Sequence, residues 1–248
     1  MNERSVAGSG DPFDGIGLVV FDKDGTLIDF DAMWSGWATE LGDRLATATG
    51  RPIQVPLYRA LGYDPATGRA KAGGPVAAMP MARLRDLTLA LVRETGSGPA
   101  EAAAAVDAAW HAPDPLTLAH PLTDLRRLFG GLRDRGILVA VATSDDRAPT
   151  ETTLAGLGVA DLVDGIVCAD DGLIVKPAPD MLRHLCALLG VPVEATAMVG
   201  DSTADLAMGR AAGVARCIGV LSGTGSRLDL GPLADVIVGS VAELLPVD

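Results

Sequence analysis

The sequence predicts an α/β fold with a doubly wound parallel sheet, and three observations support this. Short apolar runs recur at 17–21, 137–142, 195–199, 214–220 and 235–238, with a weaker one at 163–167. These runs are continuous rather than alternating, as in strands buried on both faces. From residue 120 onward they alternate with helical periodicity, the pattern of a sheet covered by helices on both sides.

The first run, Gly17-Leu-Val-Val-Phe21, ends in Asp22-Lys23-Asp24-Gly25, which reads as a buried strand followed by a turn. The stretch 31–117 then breaks the pattern. It has no convincing strand run, and helix-like segments near 33–48, 80–95 and 99–111 are separated by Gly/Pro-rich pieces such as Ala72-Gly-Gly-Pro75. The alanine run Ala102–Ala105 fits a plain helix, since alanine is the best helix former. Beyond it, Leu122, Leu125, Leu128 and Leu132 recur at three- and four-residue steps, as do Met181, Leu182, Leu185 and Leu189. Pro149 sits where a first-turn proline is tolerated. Residues 203–212 are helix formers that stop at Gly213, a C-terminal cap. The expected organisation is a core of 1–30 with 118–248, and an inserted helical domain of 31–117.

Composition narrows the partners. The 248 residues are 48% hydrophobic, enough for a full core, and the net charge is −12. An acidic chain is repelled by nucleic acids and anionic membranes, so neither is an expected partner. The N-terminal stretch Met1–Asp14 is polar, without an apolar signal core, and no apolar run is long enough to span a bilayer. Cys168, Cys186 and Cys217 lack zinc-type spacing and give no disulfide framework. A cytoplasmic location fits. Only Lys23, Lys71 and Lys176 among the 20 basic residues are lysines, so each invites the question of why it is not arginine.

Four short segments fall at predicted strand ends or helix starts, where open α/β sheets bind ligands. In Asp22-Lys-Asp24-Gly25, one carboxylate can attack phosphorus and the second can move protons. Gly25 lets backbone amides approach phosphate oxygens. An ordinary Asp/Gly turn explains the same residues. Thr143 and Ser144 follow the strongest strand and can hold a phosphate oxygen, or simply cap a helix. Lys176, before Pro177 and Pro179, can neutralise nucleophile and phosphate, or be a solvated lysine. Asp201 and Asp205 can face one crevice and bind Mg²⁺, or cap and complement a helix.

Together, in this order, the four segments resemble the motifs of the haloacid dehalogenase (HAD) superfamily, over roughly 16–30 and 121–240. Lys176-Pro-Ala-Pro-Asp180, Gly200-Asp-Ser-Thr-Ala-Asp205 and the position of the insertion are similar to the phosphoglycolate phosphatase branch, with its small helical cap. The resemblance implies a Rossmann-like core and a Mg²⁺-dependent phosphatase acting on small phosphorylated metabolites. It makes Asp22 the nucleophile and a metal ligand. Asp24 becomes the general acid/base, with its carbonyl on the metal. Gly25, Thr143, Ser144 and Lys176 bind phosphate, Asp201 binds the metal, and Asp205 supports it directly or through water.

Asp24 separates this chain from the dehalogenases, which lack a carboxylate there, and from ion pumps reading Asp-Lys-Thr-Gly-Thr. A phosphomutase keeps the same four motifs and is the alternative. A non-enzymatic switch like receiver domains is disfavoured by Asp24 and the insertion. The Lys23 side chain is expected to point away from the site. In the cap, Lys71 is the candidate selector. Trp34 and Trp37 are expected to pack a helix face, and Arg69 to be solvated; His111 and His120 receive no role. The expected form is a monomer or homodimer.

Overall fold

The computed structural model describes residues 11–245; expectations resting on 1–10 and 246–248, most of the polar N-terminal stretch among them, lie outside the described residues. The strands are β1 (Leu18–Phe21), β2 (Tyr63–Asp64), β3 (Arg69–Ala70), β4 (Leu138–Ala142), β5 (Gly165–Val167), β6 (Thr196–Gly200), β7 (Arg216–Val220) and β8 (Val236–Val238). Six of them form one sheet in the order β5-β4-β1-β6-β7-β8, with every pair parallel. The chain therefore builds outward from β1 on one side and returns to build on the other. This places a topological switch point beside β1, where a crevice opens at the carboxyl ends of the strands.

The apolar runs become strands because both faces of the sheet are covered. Val19 and Phe21 join the core on one face, and Leu18 and Val20 join the core on the other. Phe21 meets Phe129 at 5.4 Å between ring centroids. The periodic segments of the core form α7 (Leu125–Asp134), α9 (Asp180–Leu189) and α10 (Thr203–Ala212), and Gly213 closes α10 in the left-handed conformation. A further helix, α8 (Arg147–Gly156), carries Pro149 in its first turn.

Between β1 and β4 the described residues form α1 (Phe30–Thr49), α2 (Gln54–Leu61), α3 (Pro75–Ala78), α4 (Met81–Glu94), α5 (Pro99–Ala109) and α6 (Pro115–Leu118). Asp29 caps α1 by accepting from the amides of Asp31 and Ala32, and Gly50 ends it. Trp37 is buried and donates its indole N–H to the His111 carbonyl at 2.8 Å, which fixes α1 against the chain leaving α5. The β2–β3 hairpin and α2 are among the elements here with no sequence signal. The hairpin β2–β3 contributes two residues per strand, too few for an apolar run. In α2, Pro56 sits within the first turn, where its missing N–H has no intrahelical partner to lose. Among the described residues no helix is long and apolar enough to cross a membrane.

Two aspartates hold the sheet in register. Asp164, just before β5, accepts from the Val139 amide (2.9 Å) and pairs with Arg133 on α7 (2.6 Å). Asp235, just before β8, accepts from the Cys217 amide (2.8 Å) and pairs with Arg210 on α10 (2.7 Å). Each carboxylate thus ties a neighbouring strand to a covering helix. Asp164→Ala would leave the buried Val139 N–H without its acceptor, so chemical denaturation should show a loss of about 1–3 kcal/mol. An unchanged stability would remove Asp164 from this role.

Candidate active site

The strand ends carry the chemistry into one crevice. Asp22 follows β1, and its amide continues the sheet pairing to the Val199 carbonyl (2.9 Å). Thr143 follows β4, with its amide on the Val167 carbonyl (3.0 Å). Asp201 follows β6, Asp205 lies in the first turn of α10, and Lys176 comes from the loop between β5 and α9. Asp22, Asp24, Thr143, Ser144, Lys176, Asp201 and Asp205 all line one cavity. Gly25 is not among the lining residues, and its amide donates to the Ile28 carbonyl (2.8 Å). It adopts φ 88°, and a Cβ there would stand 2.8 Å from Asp201 Cγ. Gly223 is still tighter, since its Cβ would lie 2.1 Å from Asp201 Oδ2.

Lys176 organises one half of the crevice. Its ammonium is buried, donates to Asp22 Oδ1 at 2.6 Å and forms a poorly aligned ion pair with Asp205 Oδ1 at 2.6 Å. Burial works against this charge, but Asp205 and Asp22 outweigh it and hold the lysine above its ordinary range. Asp205 Oδ2 accepts from the amide (3.0 Å) and hydroxyl (2.6 Å) of Ser202. Asp201 Oδ2 accepts from the Thr224 amide (2.7 Å) and hydroxyl (3.1 Å). Oxygens of Asp22, Asp201 and Asp205 lie within 4.8 Å of one another. Burial pushes the Asp22 carboxyl up to about 7, with Lys176 opposing and Asp205 and Asp24 adding to the rise. Burial also raises Asp201, reinforced by Asp22 and Asp205. Three crowded, buried carboxylates against one ammonium are a donor set that suits a hard divalent cation.

A second lysine organises the other half, contrary to expectation. Lys23 is not directed away: it is 1% exposed, donates to Asp24 Oδ1 (2.9 Å), and lies 2.8 Å from Asp24 Oδ2 and 3.3 Å from Asp145 Oδ2. Burial opposes its charge too, and Asp24 and Asp145 more than offset that. Asp145 gives no sequence signal because it extends no motif; its amide donates to Thr143 Oγ1 (3.1 Å) and its side chain faces the cavity. Ser202 and Thr224, which orient the carboxylates, carry no sequence signal beyond a capping pattern.

The helical block supplies a different set from the one expected. Lys71 lies outside this cavity and lines a separate one with Tyr58, Tyr63 and Asp64. Arg69 reaches the Gly223 carbonyl (3.5 Å) and Asp31 (3.6 Å). Trp37 packs as expected. Trp34 packs edge-on against it (5.5 Å), yet also lines the cavity and directs its indole N–H at Asp24 Oδ1 (3.5 Å). His111 pairs with Glu40 (3.3 Å), away from the carboxylates.

The raised Asp22 carboxyl has a consequence for metal-free protein. Its folded form binds a proton more tightly than the unfolded chain, so its contribution is fully present below pH ~3.8 and is lost as pH rises through about 7. Asp22→Asn removes that loss. In metal-free buffer the variant should melt a few degrees above the parent near pH 7.5, with the gap closing toward pH 4. A gap independent of pH would contradict the crowding of charge at Asp22.

Comparisons with known proteins bear on the family and the fold. Residues 16–213 match the family model described as haloacid dehalogenase-like hydrolase. Phosphoglycolate phosphatase of Rhodospirillum rubrum is 42% identical over 106 residues, which are 43% of this chain and 44% of that protein. The "Probable phosphatase IndB" of Dickeya dadantii is 32% identical over 209 residues, 83% of this chain and 81% of that one. The chain spans about half the length of the first curated relatives it matches. Among solved structures, one described as a predicted phosphoglycolate phosphatase from Haemophilus somnus 129PT superposes with TM-score 0.67 at 16% identity, covering 93% of this chain and 97% of that one. At that identity the likeness speaks for the fold, while the sequence match speaks for the family: the chain belongs to the haloacid dehalogenase-like hydrolases.

Proposed function

We propose that the chain is a Mg²⁺-dependent phosphatase that hydrolyses small phosphomonoesters through an aspartyl-phosphate on Asp22. The observation that carries this reading is the pairing of two buried Lys–Asp clusters across one cavity. Lys176 sits 2.6 Å from Asp22, and Lys23 grips Asp24 at 2.8–2.9 Å. Lys176 favours the ionised form that a nucleophile needs, and Asp24, held in place by the other cluster, is the candidate proton carrier.

In the first step an Asp22 oxygen attacks phosphorus and the bond from phosphorus to the ester oxygen breaks. Asp24 gives its proton to that oxygen, so a neutral alcohol leaves. In the second step Asp24 takes a proton from water as the water oxygen attacks phosphorus, and Asp22 is released as a carboxylate. Lys176 favours the ionised form of Asp22 and offsets charge on the phosphoryl oxygens, which Thr143 and Ser144 hold by their hydroxyls. Lys23, locked by Asp145, fixes the Asp24 carboxyl. Mg²⁺ would be held by Asp22, Asp201 and the Asp24 carbonyl, with Asp205 supporting, and supplies charge neutralisation at the phosphoryl group.

The helices of 31–117 act as a cap over the core of 1–30 and 118–248. The cavity, partly open to solvent, is only about 70 Å³, below the size of ordinary ligand pockets, which is the basis for proposing that cap and core part to admit substrate. We assign the chain to the cytoplasm, as a monomer or homodimer; its free, buried cysteines suit a reducing compartment.

Phosphate release from a panel of small phosphorylated metabolites, with and without Mg²⁺, tests this reading. The parent should release phosphate only with the metal, and Asp22→Asn should fall to background. Asp24→Asn should slow roughly 10²–10⁴-fold while still binding Mg²⁺ by calorimetry. Turnover retained in Asp22→Asn would refute covalent attack. Turnover that requires a bisphosphate activator would make the chain a phosphomutase.

A further inference from the structure

The two sides of the cavity differ sharply in chemistry. The cap side is built by Phe30 and Trp34 at α1, Val76 and Ala77 in α3, Met79 just after α3, and Met81 at the start of α4. None of these carries a charge, and the one N–H donor among their side chains, on Trp34, is aimed at Asp24 (3.5 Å). Part of the backbone here is already engaged. The amides of Gly74, Ala77 and Met79 already donate to the carbonyls of Lys71, Gly74 and Pro75, each at 2.9 Å. Neither basic residue singled out in this block lines the cavity: Lys71 lines another one, and Arg69 stands beside it, exposed, between Asp31 (3.6 Å) and the Gly223 carbonyl (3.5 Å).

The core side carries the opposite imbalance. Asp22, Asp24, Asp145, Asp201 and Asp205 line the cavity, and Lys176 is the lining cation. A divalent ion and Lys176 are used by the phosphoryl group and these carboxylates. The core side also carries Thr143, Ser144, Ser202, Thr203 and Thr224, but a second anionic group placed against the cap side would meet no lining cation, and burying such a group without a partner is strongly unfavourable. A polyhydroxylated group would leave its hydroxyls without partners against the same wall. An alkyl or aryl group instead gains from every methylene removed from water.

We infer that the substrate is the phosphate monoester of a small apolar alcohol, whose carbon skeleton lies against the Phe30–Trp34–Val76–Met79–Met81 wall. This rests on the phosphatase reading above and narrows its substrate class away from phosphoglycolate and sugar phosphates.

The test uses the full chain with Mg²⁺ and a series of n-propyl, n-butyl and n-pentyl phosphate beside phosphoglycolate and glucose 6-phosphate. The alkyl alcohols have nearly the same leaving-group acidity, so the series reads the wall rather than the chemistry. We expect kcat/KM to rise up to about fourfold per methylene, and the pentyl ester to exceed phosphoglycolate by at least about tenfold. Met79→Lys, at a part-exposed lining position, should narrow or reverse that gap by giving a carboxylate its missing partner. Release led by phosphoglycolate or the sugar phosphate, or a flat alkyl series, would overturn the apolar assignment and leave the phosphatase standing. No release from any ester, with Mg²⁺ present, would overturn the phosphatase reading and this one with it.

Discussion

Carboxylates crowded at the buried end of a parallel sheet repel one another and lose hydration, and the site depends on how this chain resolves that. Two lysines do it, each bridging two aspartates: Lys176 between Asp22 and Asp205, and Lys23 between Asp24 and Asp145. A compact ammonium can stand between two carboxylates in a space that a planar guanidinium would not fit. This accounts for two of the three lysines in a chain that otherwise uses arginine. It also divides the crevice, with the nucleophile candidate in one cluster and the proton carrier in the other. The residual negative charge around Asp22, Asp201 and Asp205 is what a divalent ion would balance.

Much of the core is legible in the sequence because its strands are buried on both faces. Continuous apolar runs such as Leu18–Phe21 and Leu138–Ala142 are too short for a typical helix and too uniform for a solvated loop, and each forms a strand within a residue or two of its expected bounds. The short hairpin at Tyr63–Ala70 is not legible, because two residues per strand hold no period and the turn geometry around Gly68 fixes it instead. The register clamps of Asp164 and Asp235 are equally hidden. Each lies just before a strand, where an aspartate reads as an ordinary turn residue until its partners on the neighbouring strand are known.

The candidate site divides along the same line. Residues that repeat a spaced motif at strand ends converge as expected, apart from the Gly25 amide, which a local turn claims. Residues that act through a neighbour escape the sequence. Asp145 is invisible without Lys23, and the adjacency of Lys23 to Asp22 in sequence suggests the opposite side of the strand. In the cap, the search for a cation favours Lys71, whereas the cavity is met by Trp34 and its apolar neighbours. Charge is easy to see in a sequence, but an apolar wall becomes visible only when separate helices are brought together.

The apolar wall of the helical block and the carboxylate-lined core fit the proposed account, in which charge would be handled at the sheet and the alcohol sorted against the helices. Its central claim is covalent attack by Asp22. The most direct measurement is acid quenching during turnover, followed by mass spectrometry of the peptide that contains Asp22. The account predicts a phosphoryl adduct on Asp22, stable in acid and cleaved by hydroxylamine. Full-rate phosphate release with no adduct there, or with the adduct on another residue, would contradict it.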